Sequence, residues 1–81
     1  SEEDAVYAAP GTETERTVAE LMARLLGRSR VGANDDFFVI GGHSIVAMQL
    51  VSRIQHALGV RISLKALFEH TTVEALSRVI D

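Results

Sequence analysis

The sequence contains no cysteine among its 81 residues. Disulfide bonds are therefore excluded, and so is every metal site that depends on cysteine ligands. The three histidines, His43, His56 and His70, stand apart without the spacing of metal ligands, so no metal site is expected.

Long apolar runs and concentrated basic charge are also missing. Apolar residues make up 47% of the sequence, but each uninterrupted apolar stretch is far shorter than a membrane span. The net charge is −3 and the eight basic residues are scattered, whereas nucleic-acid binding needs a concentrated basic surface. The acidic amino terminus lacks the pattern of a signal peptide. We therefore expect a soluble cytoplasmic protein that binds neither a membrane nor nucleic acid.

The length leaves room for one small domain with a modest core. Residues 1–10 show no helical periodicity and are predicted to be a linker or a disordered N-terminal segment. Residues 11–81 are predicted to form the folded domain, which we expect to be a monomer when it is isolated.

A first helix is predicted from about Glu13 to Leu26. Thr12 followed by Glu15 fits a capping box, and Gly27 is expected to end the helix. Apolar residues recur at the spacing that places them on one helical face: Val18, Leu21, Met22, Leu25 and Leu26.

A second helix is predicted from Ser44 to near Leu58, with Gly59 as its C-terminal stop. One broad apolar face is assigned to the core: Ala47, Leu50, Val51, Ile54, Ala57 and Leu58. Ile45 and Met48 lie on the opposite face, which otherwise carries polar residues. We therefore predict that these two side chains form an exposed contact patch beside Ser44.

Two shorter helices complete the domain. Ser63 is expected to cap a short third helix that runs through Phe68. Thr71 with Glu74 fits a capping box for a fourth helix, which contains Val73, Leu76, Val79 and Ile80. The predicted fold is all-α: a small four-helix bundle of three main helices plus the short third helix.

The connection between helices 1 and 2 is long for so small a domain, and such loops are either functional or disordered. It contains several apolar residues: Val31, Phe37, Phe38, Val39 and Ile40. Burying even some of them, at about 1.5–3 kcal/mol each, would tie the loop to the core. A long ordered loop is therefore predicted, with Asp35 and Asp36 as turn residues that set up the aromatic pair. Which phenylalanine points inward stays open.

This loop ends in the most informative stretch of the chain. It reads Asp35-Asp36-Phe37-Phe38-Val39-Ile40-Gly41-Gly42-His43-Ser44-Ile45. The stretch closely resembles the signature of peptidyl carrier domains, or thiolation domains, of non-ribosomal peptide synthetases, and the resemblance extends over residues 14–80. The aromatic pair, the glycine pair, the serine and the following helix all occur in register. His43 favours the peptidyl type, since fatty-acid and polyketide carriers usually have aspartate there.

The resemblance implies that residues 11–81 are a non-catalytic carrier domain. It implies that Ser44 carries 4′-phosphopantetheine, taken from coenzyme A by a phosphopantetheinyl transferase. The cofactor-binding residues would be Ser44 together with Gly42 and His43 before it, and the two glycines would leave the hydroxyl open to a large enzyme. Aminoacyl or peptidyl thioesters would be held on this arm and carried between adenylation, condensation and thioesterase domains. The helix that bears Ile45 and Met48 would contact these partners.

Other interpretations start from the same residues. An acyl or aryl carrier would use the same attachment chemistry with a different cargo. An unmodified helical interaction module would use Ser44 only as a helix N-cap and bind one protein through Ile45 and Met48. A hydrolase nucleophile fits poorly, because Val46 stands where the G-x-S-x-G elbow needs its second glycine and no strand precedes the turn.

Overall fold

The computed structural model describes residues 7–81, which form four helices. These are α1 Glu13–Leu26, α2 Ser44–Leu58, α3 Leu64–Glu69 and α4 Val73–Ile80. Helix α1 packs against α2 and α4, and α3 packs against the same two helices. Within the described residues the only β-type pairing is an isolated bridge between Asp36 and Thr72. The predicted all-α bundle with a short third helix is confirmed.

Local hydrogen bonds and glycine conformations explain where α1 and α3 begin and where α1 and α2 end. The Thr12 hydroxyl accepts a bond from the Glu15 N–H at 3.0 Å, and the Glu15 carboxylate accepts one from the Gly11 N–H at 2.8 Å. Ser63 caps α3 by accepting from the Ala66 N–H at 3.0 Å. Helices α1 and α2 both end at glycines in the left-handed conformation, Gly27 and Gly59. The predicted bounds of α1 and α2 are therefore confirmed.

Helix α4 is capped one residue later than the sequence predicts. Thr72, not Thr71, accepts the capping bond, from the Ala75 N–H at 3.1 Å. Thr71 instead donates its hydroxyl to the carboxylate of Asp36 in the long loop. Glu74 pairs with Arg78 one turn further along α4 and does not complete a capping box. Packing against the loop thus decides which of the two threonines caps the helix.

The core draws side chains from all four helices and from the loop. Its largest fully buried apolar members are Val18, Met22, Phe37, Leu50, Ile54, Leu67, Val73 and Leu76. Ala57, which the sequence assigns to the core face of α2, is exposed instead. The next residue, Leu58, is partly buried against the core, so the core side of the last turn runs through Leu58 and not through Ala57.

The loop of residues 27–43 forms an ordered layer on the bundle. The Phe37 side chain is fully buried, while Phe38 is half-buried and stacks on Phe68 with ring centroids 5.0 Å apart. The Phe37 N–H donates to the Thr71 carbonyl, and the Glu74 N–H donates to the Ala33 carbonyl, both at 2.8 Å. The ordered loop is confirmed, and Phe37 is the phenylalanine that points inward.

Part of the predicted N-terminal linker also contacts this loop. The Ala8 carbonyl accepts a hydrogen bond from the Ala33 N–H at 2.7 Å. Residues 1–6 lie outside the described residues, and the domain boundary after residue 10 stays a prediction. Among the helices of residues 7–81, none has the length and apolar character that a membrane crossing requires.

Candidate functional site

Ser44 is the first residue of α2, and it is exposed. The N-cap is the preceding residue, His43, whose carbonyl accepts the first helical bond from the Ala47 N–H at 2.8 Å. The interpretation of Ser44 as the helix cap is therefore wrong, because Ser44 already lies inside the helix. Its hydroxyl is presented to solvent at the very start of α2.

The start of α2 differs from the starts of the other helices. Helices α1, α3 and α4 are each capped by a serine or threonine side chain, whereas the His43 side chain makes no capping bond. The first turn of α2, like that of α3, has no acidic residue. The N–H groups of a first turn have no partners within the helix, and the helix dipole places partial positive charge there. A phosphate group on Ser44 would therefore be favoured.

The glycine pair before Ser44 has a packing role that sequence reasoning missed. A Cβ atom at Gly42 would lie only 2.3 Å from Cε2 of Phe37 and 2.7 Å from the Phe37 carbonyl oxygen. The Gly42 N–H donates to that same oxygen at 2.8 Å. Gly41 has a φ of 125°, in the region that favours glycine. The pair thus lets the chain pass closely over the buried ring before it enters α2.

Asp36 holds the other side of the loop. One carboxylate oxygen accepts bonds from the N–H groups of Phe38 at 2.9 Å and Val39 at 3.2 Å, and the other accepts the Thr71 hydroxyl. The bond from Thr71 lowers the pKa of Asp36 below its ordinary value, burial opposes this, and the two backbone bonds lower the pKa further. The predicted role of Asp36 as a turn residue at the aromatic pair is confirmed.

Acid should therefore weaken the domain through Asp36. The pKa of Asp36 is lower in the folded than in the unfolded state. The ionised carboxylate therefore stabilises the fold fully above the unfolded-state pKa of about 3.9, and this contribution is lost as the pH falls through the folded-state pKa. We expect Asp36→Asn to lower the free energy of unfolding by about 1–2 kcal/mol at neutral pH. In urea unfolding, the difference in the free energy of unfolding between the parent and Asp36→Asn should become smaller as the pH falls below about 4.

The control Asp35→Asn removes the same charge one residue away, where the carboxylate accepts the Gly32 N–H at 2.8 Å, and it should lower the free energy of unfolding less than Asp36→Asn does. If the difference in the free energy of unfolding between the parent and Asp36→Asn stays constant through the acid range, ionisation of Asp36 does not stabilise the fold.

The loop is also attached to the end of α1. The Arg28 Nε donates to the Ile40 carbonyl at 3.2 Å. A Cβ atom at Gly41 would lie 4.0 Å from Cδ2 of Leu26, so the last turn of α1 lies beside the glycine pair. Sequence reasoning missed Arg28, because a bond from a side chain to a backbone oxygen twelve residues away has no local signal.

Three large apolar side chains near Ser44 in the sequence are exposed. The exposed fraction is 82% for Val39, 67% for Ile45 and 60% for Met48. Ile45 follows Ser44 directly, and Met48 lies about one turn further along α2. The geometry thus leaves Ile45 and Met48 accessible to a partner, and their role as a partner surface stays a prediction.

The three histidines lie in different parts of the fold. His43 and His56 are exposed, and His70 is half-buried where α3 ends. In the part of the chain that the structure describes, no group of three histidine, cysteine, aspartate or glutamate residues could hold a metal ion. His43 is the only one of the three beside Ser44.

Known proteins match this chain over nearly the whole domain. Residues 16–80 match the protein family described as "Phosphopantetheine attachment site". The chain is 51% identical over 72 residues to tyrocidine synthase 3 of Brevibacillus parabrevis, and this match covers 89% of the chain but 1% of that protein. The chain therefore corresponds to a small part of a much longer relative.

Two solved structures are similar over almost their full chains. A non-ribosomal PCP domain has a TM-score of 0.83 and 39% identity, covering 89% of this chain and 92% of that chain. The second match is in the structure of the phosphopantetheine transferase Sfp in complex with coenzyme A and a peptidyl carrier protein. It has a TM-score of 0.88 and 38% identity, covering 91% of this chain and 96% of that chain.

Proposed function

The chain belongs to the phosphopantetheine attachment family, and we propose that Ser44 is the residue to which the 4′-phosphopantetheine arm is attached. The observation that carries this assignment is an exposed hydroxyl on the first residue of a helix without a side-chain cap. When bound, the arm supplies the thiol that the cysteine-free chain lacks, so that aminoacyl and peptidyl groups can be held as thioesters. The chain is then a non-catalytic peptidyl carrier.

Attachment requires the chain mainly to present one oxygen atom. The Ser44 oxygen forms a bond to the phosphorus of coenzyme A that bears pantetheine, the diphosphate bond breaks, and adenosine bisphosphate leaves. The transferase takes up the hydroxyl proton. The free N–H groups of the first turn of α2 favour the negative charge that this ester places beside Ser44. Phe37 and Gly42 hold the preceding loop, so the hydroxyl is presented in one position.

The partners follow from the carrier function. We propose that a phosphopantetheinyl transferase modifies the chain and that adenylation, condensation and thioesterase domains load, extend and release its cargo, all in the cytoplasm. Similarity to a carrier solved with a transferase and coenzyme A supports the first of these partners. A tethered cargo reaches each active site at a high effective concentration, which free diffusion would not provide.

Mass spectrometry tests the attachment site. Incubation with coenzyme A and a broad-specificity phosphopantetheinyl transferase should add one phosphopantetheine group to the intact chain, and peptide mapping should locate it on Ser44. Ser29, Ser52 and Ser63 are also exposed and serve as internal controls. A group found on one of them would contradict the assignment. A chain that gains no mass would instead be an unmodified interaction module.

Ile45→Glu and Met48→Glu should impair partner recognition more than stability. Because both side chains are largely exposed, the free energy of unfolding of each variant should lie within about 0.5 kcal/mol of the parent value. We expect slower modification or slower cargo transfer at an unchanged melting temperature, because a charge disfavours contact with an apolar partner surface.

The control His56→Glu places the same charge on the same face of α2, about 16 Å along the helix from Ile45 and about 12 Å from Met48. It should leave modification and cargo transfer unaffected. Normal activity of both patch variants with every partner tested would show that the patch is incidental, and melting far below the parent would show that the two side chains are structural.

A further inference from the structure

The chain is held against the long loop before it enters α1. The Tyr7 ring centroid lies 3.8 Å from the guanidinium carbon of Arg30, a cation–π contact. One residue later, the Ala8 carbonyl accepts the bond from the Ala33 N–H at 2.7 Å. Two consecutive residues of the predicted linker are thus attached to the loop.

Gly32 lies directly beneath this contact. A Cβ atom at Gly32 would lie 2.9 Å from the Ala8 carbonyl oxygen and 3.0 Å from Cδ1 of Tyr7, and its three nearest neighbours would all be linker atoms. The φ angle of Gly32 is not in the left-handed region. Glycine is therefore required here by the close approach of the linker and not by the conformation of the loop.

We propose that this contact of Tyr7 and Ala8 with residues 30–33, here called the linker clasp, opens while the four-helix domain stays folded. Tyr7 and Ala8 are both only partly buried, and their contacts with the loop include one cation–π pair and one backbone bond. The loop beneath it, by contrast, is anchored by the buried side chains of Val31 and Phe37 and by backbone bonds to the start of α4. Segments with few buried contacts open locally at lower free energy than the core.

Opening would change how far the domain can move. Residues 7–10 run along the surface in the closed clasp, and once released they would add up to about 14 Å of extended chain. The effective concentration of a tethered group depends on the length of its tether. The clasp would therefore set the reach of the carrier from the chain that precedes it. This consequence rests on the proposed carrier function, whereas the opening of the clasp does not.

Native-state hydrogen exchange on the whole chain separates clasp opening from unfolding. The Ala33 N–H is bonded to the Ala8 carbonyl of the clasp, whereas the Glu74 N–H is bonded to the Ala33 carbonyl and reports on the attachment of the loop to the start of α4. After correction for intrinsic rates, we expect the Ala33 amide to exchange at least about tenfold faster than the Glu74 amide. Equal rates would mean that the linker leaves only when the loop itself leaves α4, and would overturn the proposal.

Gly32→Ala tests the contact itself, since its methyl group would meet only linker atoms among its nearest neighbours. Exchange of the Ala33 amide should increase several-fold, while exchange of the Glu74 amide and the melting temperature stay unchanged. The control Gly11→Ala adds the same methyl group where the nearest atom is 3.7 Å away, and it should change neither amide. Equal acceleration of both amides in Gly32→Ala would show that the linker is an inseparable part of the fold.

Tyrosine fluorescence gives a second measurement, because Tyr7 is the only tyrosine and the chain has no tryptophan. Its anisotropy should fall in Gly32→Ala and stay at the parent value in Gly11→Ala. The same exchange measurement on Ser44→Ala distinguishes the two proposals: the clasp should open as in the parent even though the attachment site is gone. Unchanged anisotropy and unchanged Ala33 exchange in Gly32→Ala would refute the clasp.

Discussion

Ser44→Ala should abolish attachment of phosphopantetheine and leave the fold nearly unchanged. The variant lacks the only atom that can form the ester at the start of α2. Loss of a capping bond would cost about 0.5–2 kcal/mol, but Ser44 is not the cap of α2. We therefore expect the free energy of unfolding to stay within about 0.5 kcal/mol of the parent.

Intact mass after incubation with coenzyme A and transferase measures the loss of attachment, and a thermal melt measures the fold. Ser52→Ala, which removes an exposed hydroxyl from the same helix, is the matched control and should be modified normally. Full modification of Ser44→Ala would place the attachment elsewhere. A melting temperature far below the parent would show that the Ser44 hydroxyl has a structural partner.

Gly42→Ala should damage the fold and the site together. Its methyl group would overlap both the ring and the carbonyl oxygen of Phe37, and that ring is fully buried in the core. The ring cannot move aside without disturbing its neighbours, so we expect a loss of about 2–4 kcal/mol in the free energy of unfolding. Modification of Ser44 should slow as well, because the loop that presents it is displaced. Urea unfolding and the initial rate of modification measure the two effects.

A double-mutant cycle identifies the cause of this loss. Phe37→Leu makes room beside residue 42, so Gly42→Ala should cost less in the Phe37→Leu background than in the parent. Equal costs in the two backgrounds would show that the ring is not the obstacle. We expect Ser44→Ala to change function without changing folding, and Gly42→Ala to change both. This contrast would distinguish the proposed attachment residue from the residue that positions it.

Much of this domain could be predicted from short stretches of sequence. The start of α1 at Thr12 and its end at Gly27 depend on hydrogen bonds and backbone conformations within four residues, so the sequence contains all the interacting groups. The apolar faces of α1 and α2 follow from a helical period that repeats within each helix. The run that ends at Ser44 is equally local. It was enough to identify the carrier family, whereas Ser44 as the attachment residue stays a prediction.

Choices between neighbouring residues depended on tertiary contacts. Thr71 and Thr72 both fit a helix cap, and Thr72 caps α4 because Asp36, 35 residues earlier, accepts the Thr71 hydroxyl. Phe37 points inward because the bundle provides a buried site for one ring. The helical period also assigned Ala57 to the core, but the structure leaves its side chain exposed.

At the site itself, the sequence alone determined that two glycines and a histidine precede a serine at the start of a helix. Only the tertiary structure showed that His43 is the cap, that Gly42 lies against Phe37, and that Tyr7 and Ala8 are bound to the long loop. The physical reason is the range of the interactions. Capping and periodicity act between residues a few positions apart, whereas close packing joins groups that only folding brings into contact.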